Sequence, residues 1–293
     1  MDNSEWTRIL LPLLTLALRL EREGQYNLAK LARAAVDSVS RRAAYQHDRS
    51  VDGRELVDQV EEVLEPLSRL GVDEGLLDAF RQGNRALSEG RIPSIEETPH
   101  PYVCRTCGHL VMGKVTEKCP TCGAWSDTFQ WFPPIYWLEA LSPLAALDKL
   151  RHTPLEIAAL LEGLSEQAMT HVSEDGGWGI RNVIIHIRDA QDVLDYRLDL
   201  FSEEEHPVLE AKAVWSWAKN EEEHPLSTLE IFAEYQATRG KVLAKLEAIP
   251  LADWWRTGQH GEFGEVSIKQ QVSYFAAHEI THLPQIEALR DHH

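Results

Sequence analysis

Residues 267–291 read SIKQQVSYFAAHEITHLPQIEALRD. Gln271, Phe275, His278, His282, Gln285 or Ile286, and Leu289 fall on one stripe of a helix, so the spacing predicts an amphipathic helix with two histidines on its inner face. Histidines four residues apart lie one above the other and can grip one metal ion from one side. A complete site needs a further ligand from another element. Glu279, next to His278, points about 100° away around the helix, which weakens it as a catalytic base.

Working upstream, helical patterns continue. A helix is expected near Ser142 to Leu150 and a second from Thr153, with Pro154 in its first turn, to Met169. Another runs from about Gly179 to Ser202 after the Asp175-Gly176-Gly177-Trp178 turn, and another from Leu226 to Ile249, followed by a loop carrying Trp254 and Trp255. The helix beginning near Gly179 carries His186 on an apolar face. Buried imidazoles need partners for both ring nitrogens, and a metal shared with His278 and His282 supplies one to each. Asp189, one turn after His186, and Asn182, one turn before it, are candidates to orient that ligand, and Asp189 is a second weak candidate for a catalytic role.

Two Glu-x-x-His spacings, at Glu203 to His206 and Glu221 to His224, invite a di-iron reading, but each histidine is followed by proline. A solvated loop is expected there. Further upstream, Cys104, Cys107, Cys119 and Cys122 form two Cys-x-x-Cys pairs, which predicts a tetrahedral thiolate cage for Zn or Fe. Pro93, Pro99 and Pro101 mark the linker before it and Pro133-Pro134 the end after it.

Residues 1–98 show Leu10, Leu13, Leu14 and Ala17, then Leu28, Leu31, Ala34 and Ala35, then Val57, Val60, Val63 and Leu64, then Leu76, Leu77 and Phe80 at helical spacing. Four helices are expected, with Pro12 in the first turn of the first. His47 is the lone histidine of this region, so a packing or dimerisation module is expected, with a homodimer as its product. The domain reading is therefore a helical region over 1–98, a four-cysteine module over 99–134 and a metal-binding four-helix bundle over 135–293, in a mainly α fold.

Two resemblances sharpen this. Residues 101–130, with Tyr102-Val103, Gly108, Pro120, Gly123 and Phe129 around the cysteines, resemble the rubredoxin-like module of rubrerythrins, in which the cage holds iron and passes electrons; zinc ribbons share the ligand set and are structural. Residues from about 140 to 293 resemble the DinB/YfiT-like superfamily. The signature Asn182-Val183-Ile184-Ile185-His186-Ile187-Arg188-Asp189-Ala190 and the run from His278 through His282-Leu283-Pro284-Gln285-Ile286 carry that likeness. It implies a four-helix bundle holding Zn, Ni, Fe or Mn by His186, His278 and His282. It also implies activity as a thiol S-transferase using a low-molecular-weight thiol, or as a metal-dependent hydrolase, on a small-molecule substrate.

His278-Glu279-x-x-His282 also fits the zincin peptidase pattern. In the metzincin spacing the third ligand would fall at Ala288, which cannot ligate, with Gln285 where the glycine should be, and the glutamate-ligand kind needs a helical segment well beyond the motif, so a metallopeptidase is disfavoured. Other readings are a rubredoxin-linked redox or stress-response protein and a non-catalytic metal-binding scaffold. The net charge of −18 repels phosphate backbones and anionic lipids, so neither nucleic acid nor membrane is expected as a partner. The acidic start, Met1-Asp2-Asn3-Ser4-Glu5, and the four clustered cysteines point to a cytoplasmic location.

Overall fold

The computed structural model describes residues 3–48, 56–172, 177–210 and 225–291. The chain divides into two compact units, 1–63 and 64–293. In the first, α1 (Asn3–Arg22) and α2 (Tyr26–Asp48) form a helical hairpin. Gly24, at a φ of 72°, ends α1: Gln25 N–H donates to Leu20 and Gly24 N–H to Glu21, the two bonds of a Schellman turn. Ala17, Ala29 and Ala32 are buried while Leu28 and Leu31 face outward, so small side chains rather than the expected leucines make the close contact. Pro12 lies well inside α1 instead of in its first turn.

Helix α3 (Leu56–Arg69) runs across the division and α4 (Glu74–Ser88) lies in the second unit. There α4 packs on the four-cysteine module, where a Cβ on Gly75 would stand 3.3 Å from Met112 Cγ. The division into compact units falls near 63. In the module, β1 (Pro101–Cys104) is the centre of an antiparallel sheet between β2 (Leu110–Met112) and β3 (Phe129–Trp131), with Tyr102 opposite both Val111 and Trp131.

The remainder is built on four long helices: α5 (Pro143–Leu161), α7 (Ile180–Glu203), α8 (Thr228–Ala248) and α9 (Ile268–Asp291), with the short α6 (Glu166–Thr170) beside them. Helix α9 packs on α5 and α7, and α7 on α8. Ser142 caps α5 by accepting from Ala145 N–H, and Ser227 with Glu230 forms a capping box on α8. The two helices expected on either side of Thr153 are one helix, because Pro154 is accommodated inside it. Pro154 has no N–H to give to the Leu150 carbonyl. Arg239 Nη1 of α8 takes that place, donating to Leu150 O at 2.7 Å.

Two apolar clusters fill the bundle. One joins Leu150, Leu194, Leu198, Phe201, Val242, Trp254, Val272 and Phe275; the other joins Ile157, Ile180, Val183, Ile184, Ile231, Phe232 and Ile286. Polar Gln191, Arg239 and Glu279 fall between them along their helices. A small sheet, β4-β5-β6, joins β4 (Val208–Leu209), which lies between α7 and α8, to β5 (Thr257–His260) and β6 (Gly264–Ser267), which follow α8. Strand β6 leads directly into α9. No described helix is long and apolar enough to cross a membrane.

Candidate metal centres and the cavity beside them

The packing of α9 against α7 brings the three predicted histidines together. His186 Nε2 and His282 Nε2 each stand 3.1 Å from His278 Nε2. Three imidazole nitrogens bound at about 2.0–2.1 Å to one ion would stand about 2.9–3.4 Å apart, the limits set by octahedral and tetrahedral angles. Both observed separations fall in that range, and all three histidines offer a ring nitrogen within 4.8 Å of the others. His282 Nδ1 lies 2.8 Å from Gln285 Oε1, which fixes the proton on Nδ1 and leaves the Nε2 lone pair for the centre.

The rings are walled by aromatics. Trp178 lies 5.0 Å from His186, Trp137 5.0 Å from His278, and Tyr274 stacks on His278 at 6.0 Å. Burial, reinforced by the neighbouring imidazoles, pushes His186 down to about 4 and His278 to about 3, and burial lowers His282. All three are neutral at pH 7, the form in which imidazole ligates.

The acidic candidates are placed elsewhere. Glu279 is buried, accepts from Tyr235 hydroxyl at 2.6 Å and is ion-paired with Arg239 Nη2. Asp189 receives Arg188 Nε at 2.9 Å and Nη2 at 2.8 Å. Asn182 Oδ1 accepts from Gly179 N–H at 3.1 Å, serving the start of α7. Neither Asp189 nor Asn182 orients His186, whose Nδ1 has no acceptor among the described residues. The zincin reading thereby loses its base, because Glu279 is committed to Arg239. Of the two Glu-x-x-His spacings, His206 is exposed with Nδ1 near Thr257 Oγ1 at 3.4 Å, while Glu221 and His224 lie outside the described residues.

The four cysteines are free thiols whose sulfurs lie within 4.8 Å of one another. Cys104 Sγ is 3.8 Å from Cys122 Sγ, and Cys107 Sγ is 3.6 Å from Cys119 Sγ. Four sulfurs at about 2.3 Å from a tetrahedral ion would stand about 3.8 Å apart. The two loops repeat one hydrogen-bond pattern: Cys104 N–H to His109 O and Gly108 N–H to Cys104 O, then Cys119 N–H to Ala124 O and Gly123 N–H to Cys119 O. Gly108 and Gly123 both take φ values near the left-handed region, 80° and 74°. Burial opposes ionisation of Cys104, yet backbone N–H groups of Cys107 and Thr106 hold its thiol down to about 6. Although the His109 N–H lowers it, burial and the other three thiols push Cys107 up to about 12. A cation shared by the four sulfurs would favour their thiolate forms.

A cavity of about 350 Å³ opens beside His186 and His278. Ala190, Val193 and Arg197 of α7, Tyr274 and Phe275 of α9, and His260, Glu262 and Phe263 of the β5–β6 hairpin line it. Ile92 and Ile135, on the segments flanking the cysteine module, complete the wall. That wall is pinned by Ile95 N–H donating to Gly261 O at 3.1 Å and by His100 Nε2 at 3.0 Å from Phe263 O. A Cβ on Gly264 would come 3.0 Å from Ile95, so the glycine permits this approach. The hairpin residues and Arg197 were not among the predicted site. Only the pairing of His260 and Phe263 across a glycine-rich turn hints at them in sequence.

The sequence model of the DinB superfamily matches residues 149–286. A candidate metal-dependent hydrolase of Oceanobacillus iheyensis is 27% identical over 158 residues, covering 52% of this chain and 83% of the relative. Another from Geobacillus kaustophilus is 25% identical over 142 residues, covering 48% and 80%. YfiT of Bacillus subtilis, described as a probable metal-dependent hydrolase with an unusual four-helix bundle topology, superposes with a TM-score of 0.48 at 19% identity. That match covers 55% of this chain and 93% of that one. Residues 149–286, which contain His186, His278 and His282, thus match the DinB superfamily model, and the C-terminal half of the chain is similar to these candidate metal-dependent hydrolases.

Proposed function

We propose that the chain is a metal-dependent enzyme of hydrolase or thiol-transferase type, with a divalent ion held by His186, His278 and His282. The observation that carries this is the convergence of three neutral imidazoles, two of which, His186 and His278, line a cavity of about 350 Å³. Three protein ligands leave a position open, as catalytic sites do and structural ones do not. When bound, such an ion supplies a Lewis acid that brings water or a substrate thiol to ionisation near pH 7. The protein's part is to present the substrate to that open face, exclude bulk water with Trp137, Trp178 and Tyr274, and keep Glu279 out of the reaction by its bond to Arg239. The names of the relatives support the hydrolase side; the thiol side is an expectation from the family resemblance. Purified protein loaded with Zn, Ni, Fe or Mn is to be assayed against ester and amide panels, and against electrophiles with low-molecular-weight thiols. Turnover lost in His282→Ala with helical content intact is expected; failure across all panels and metals would sink the enzymatic reading.

A second reading has its own observation. From the cysteine module, Trp131 meets His100 at 5.4 Å, His100 bonds to Phe263 O, Phe263 meets Tyr274 at 5.8 Å, and Tyr274 stacks on His278. This chain of rings favours electron exchange between an iron-loaded cysteine cage and the histidine site. A red-brown protein bleached by dithionite is its signature, and colourless protein with zinc at the cysteines contradicts it.

A further inference from the structure

The cavity extends from His186, past Ala190 and Val193, to Arg197. Arg197 stands three turns along α7 from His186, roughly 16 Å of helix rise. It is 5% exposed. Its Nη1 donates to Gln271 Oε1 at 2.6 Å, its Nη2 donates to Glu210 carbonyl at 2.9 Å, and Nη2 also stands 2.9 Å from His260 Nε2. Each of these partners is uncharged. A guanidinium remains charged when buried, and Arg197 forms no ion pair among the described residues, Glu262 acting on it only from beyond ion-pair distance, so its burial is costly.

His260 shows that donors are in surplus here. Its Nδ1 accepts from the backbone N–H of Glu262 at 3.2 Å and of Phe263 at 3.1 Å, while its Nε2 faces Arg197. A neutral imidazole must carry one N–H. On Nε2 that proton faces the guanidinium; on Nδ1 it faces two backbone donors. Gln271 adds to the imbalance, since with Oε1 on Arg197 its Nε2 is buried without an acceptor. The Tyr274 hydroxyl, which lines the same cavity, has no hydrogen bond among the described residues. Burial raises its pKa, so it stays a donor at neutral pH.

We infer that the Arg197 end of the cavity is an oxyanion site that holds the carboxylate of an elongated organic acid, whose other end reaches the three histidines. The carboxylate half stands on the donors around Arg197; the reach to the histidines rests on the proposed function. A carboxylate supplies the charge that Arg197 lacks and acceptors for His260 and Tyr274, which line the same cavity, and the planar fork of Arg197 suits it. Glu262 lines the same end, and burial raises its carboxyl while Arg197 opposes that rise. Its charge, when present, competes with the ligand.

Calorimetric titration of the metal-free, full-length protein at pH 7 with butanoate, and separately with inorganic phosphate, tests the site. Butanoate is expected to bind, about 10- to 100-fold more weakly in Arg197→Gln and about threefold or more tightly in Glu262→Gln. Should Arg197→Gln fail to fold by circular dichroism, Arg197→Lys and Glu262→Gln decide. Equal butanoate affinity in the wild type and the folded variants overturns the proposal. Tighter binding of inorganic phosphate than of butanoate overturns the carboxylate assignment. Because no metal is present, this result is independent of whether the histidine site holds an ion.

Discussion

Glu279 and His282 sit three residues apart on α9 and do unlike things, and their environments explain why. Glu279 is buried against Arg239 and Tyr235, so its carboxylate balances a buried cation. Replacing it with alanine leaves Arg239 uncompensated, and a loss of about 3–5 kcal/mol in urea unfolding of the metal-free protein is expected. Metal content per folded chain should stay unchanged. His282→Ala should do the reverse, removing the bundle ion while leaving unfolding of the metal-free protein within about 1 kcal/mol of wild type. Equal effects of the two variants on metal content would contradict this division.

The neutral histidines also set a pH dependence. His186, His278 and His260 have folded pKa values of about 4, 3 and 3, below the usual value of 6.5. The unfolded chain therefore binds more protons than the folded one between those values and 6.5. Their contribution is present above pH 6.5 and is lost as pH falls toward 4. Melting of the metal-free protein should drop steeply from pH 7 to pH 5, and a flat profile over that window would contradict the buried, neutral assignment.

At the scale of elements, α7 depends on how closely its N-cap, Gly179, approaches the preceding turn. A Cβ on Gly179 would stand 2.5 Å from the His171 carbonyl oxygen. Gly179→Ala should therefore destabilise by about 1–3 kcal/mol and disturb the helix that carries His186. Gly240, exposed inside α8 with nothing near its Cβ position, should behave oppositely: Gly240→Ala is expected to stabilise by about 0.5–1 kcal/mol. Thermal melts of the two variants should move in opposite directions.

Elements also show what could be read in advance. The stripe holding Phe275, His278, His282 and Ile286 was legible because helical period alone fixes which side chains share a face. The cysteine loops were legible because their ligand spacing is local. The continuity of α5 through Pro154 was not, since it depends on Arg239, far away in sequence, bonding to the Leu150 carbonyl. The commitment of Glu279 to Arg239 was hidden for the same reason, as was the meeting of Arg197 with His260 across 63 positions. The β5–β6 hairpin escaped notice because Thr257-Gly258-Gln259-His260 lacks the apolar alternation of a strand.

Across the second unit, the cysteine module and the bundle work on one cavity. Segments on both sides of the module supply Ile92, Pro134 and Ile135 to its wall, and His100 and Ile95 bind the hairpin that carries His260 and Glu262. A metal in the thiolate cage would hold these segments in place, which gives the module a role in shaping the substrate space whichever metal fills it. The strongly acidic surface fits a small-molecule substrate better than a polyanion, and the donor-rich interior beside Arg197 would admit an anion that the outer surface does not select.

Two separate metal centres are expected on one chain, one of cysteines and one of histidines. Metal analysis of the protein purified from its native host, beside His282→Ala and Cys104→Ser variants, tests this most directly. About two ions per chain are predicted for the wild type, with each variant losing one and keeping the other. One ion per wild-type chain, lost in Cys104→Ser and retained in full by His282→Ala, would contradict the histidine centre.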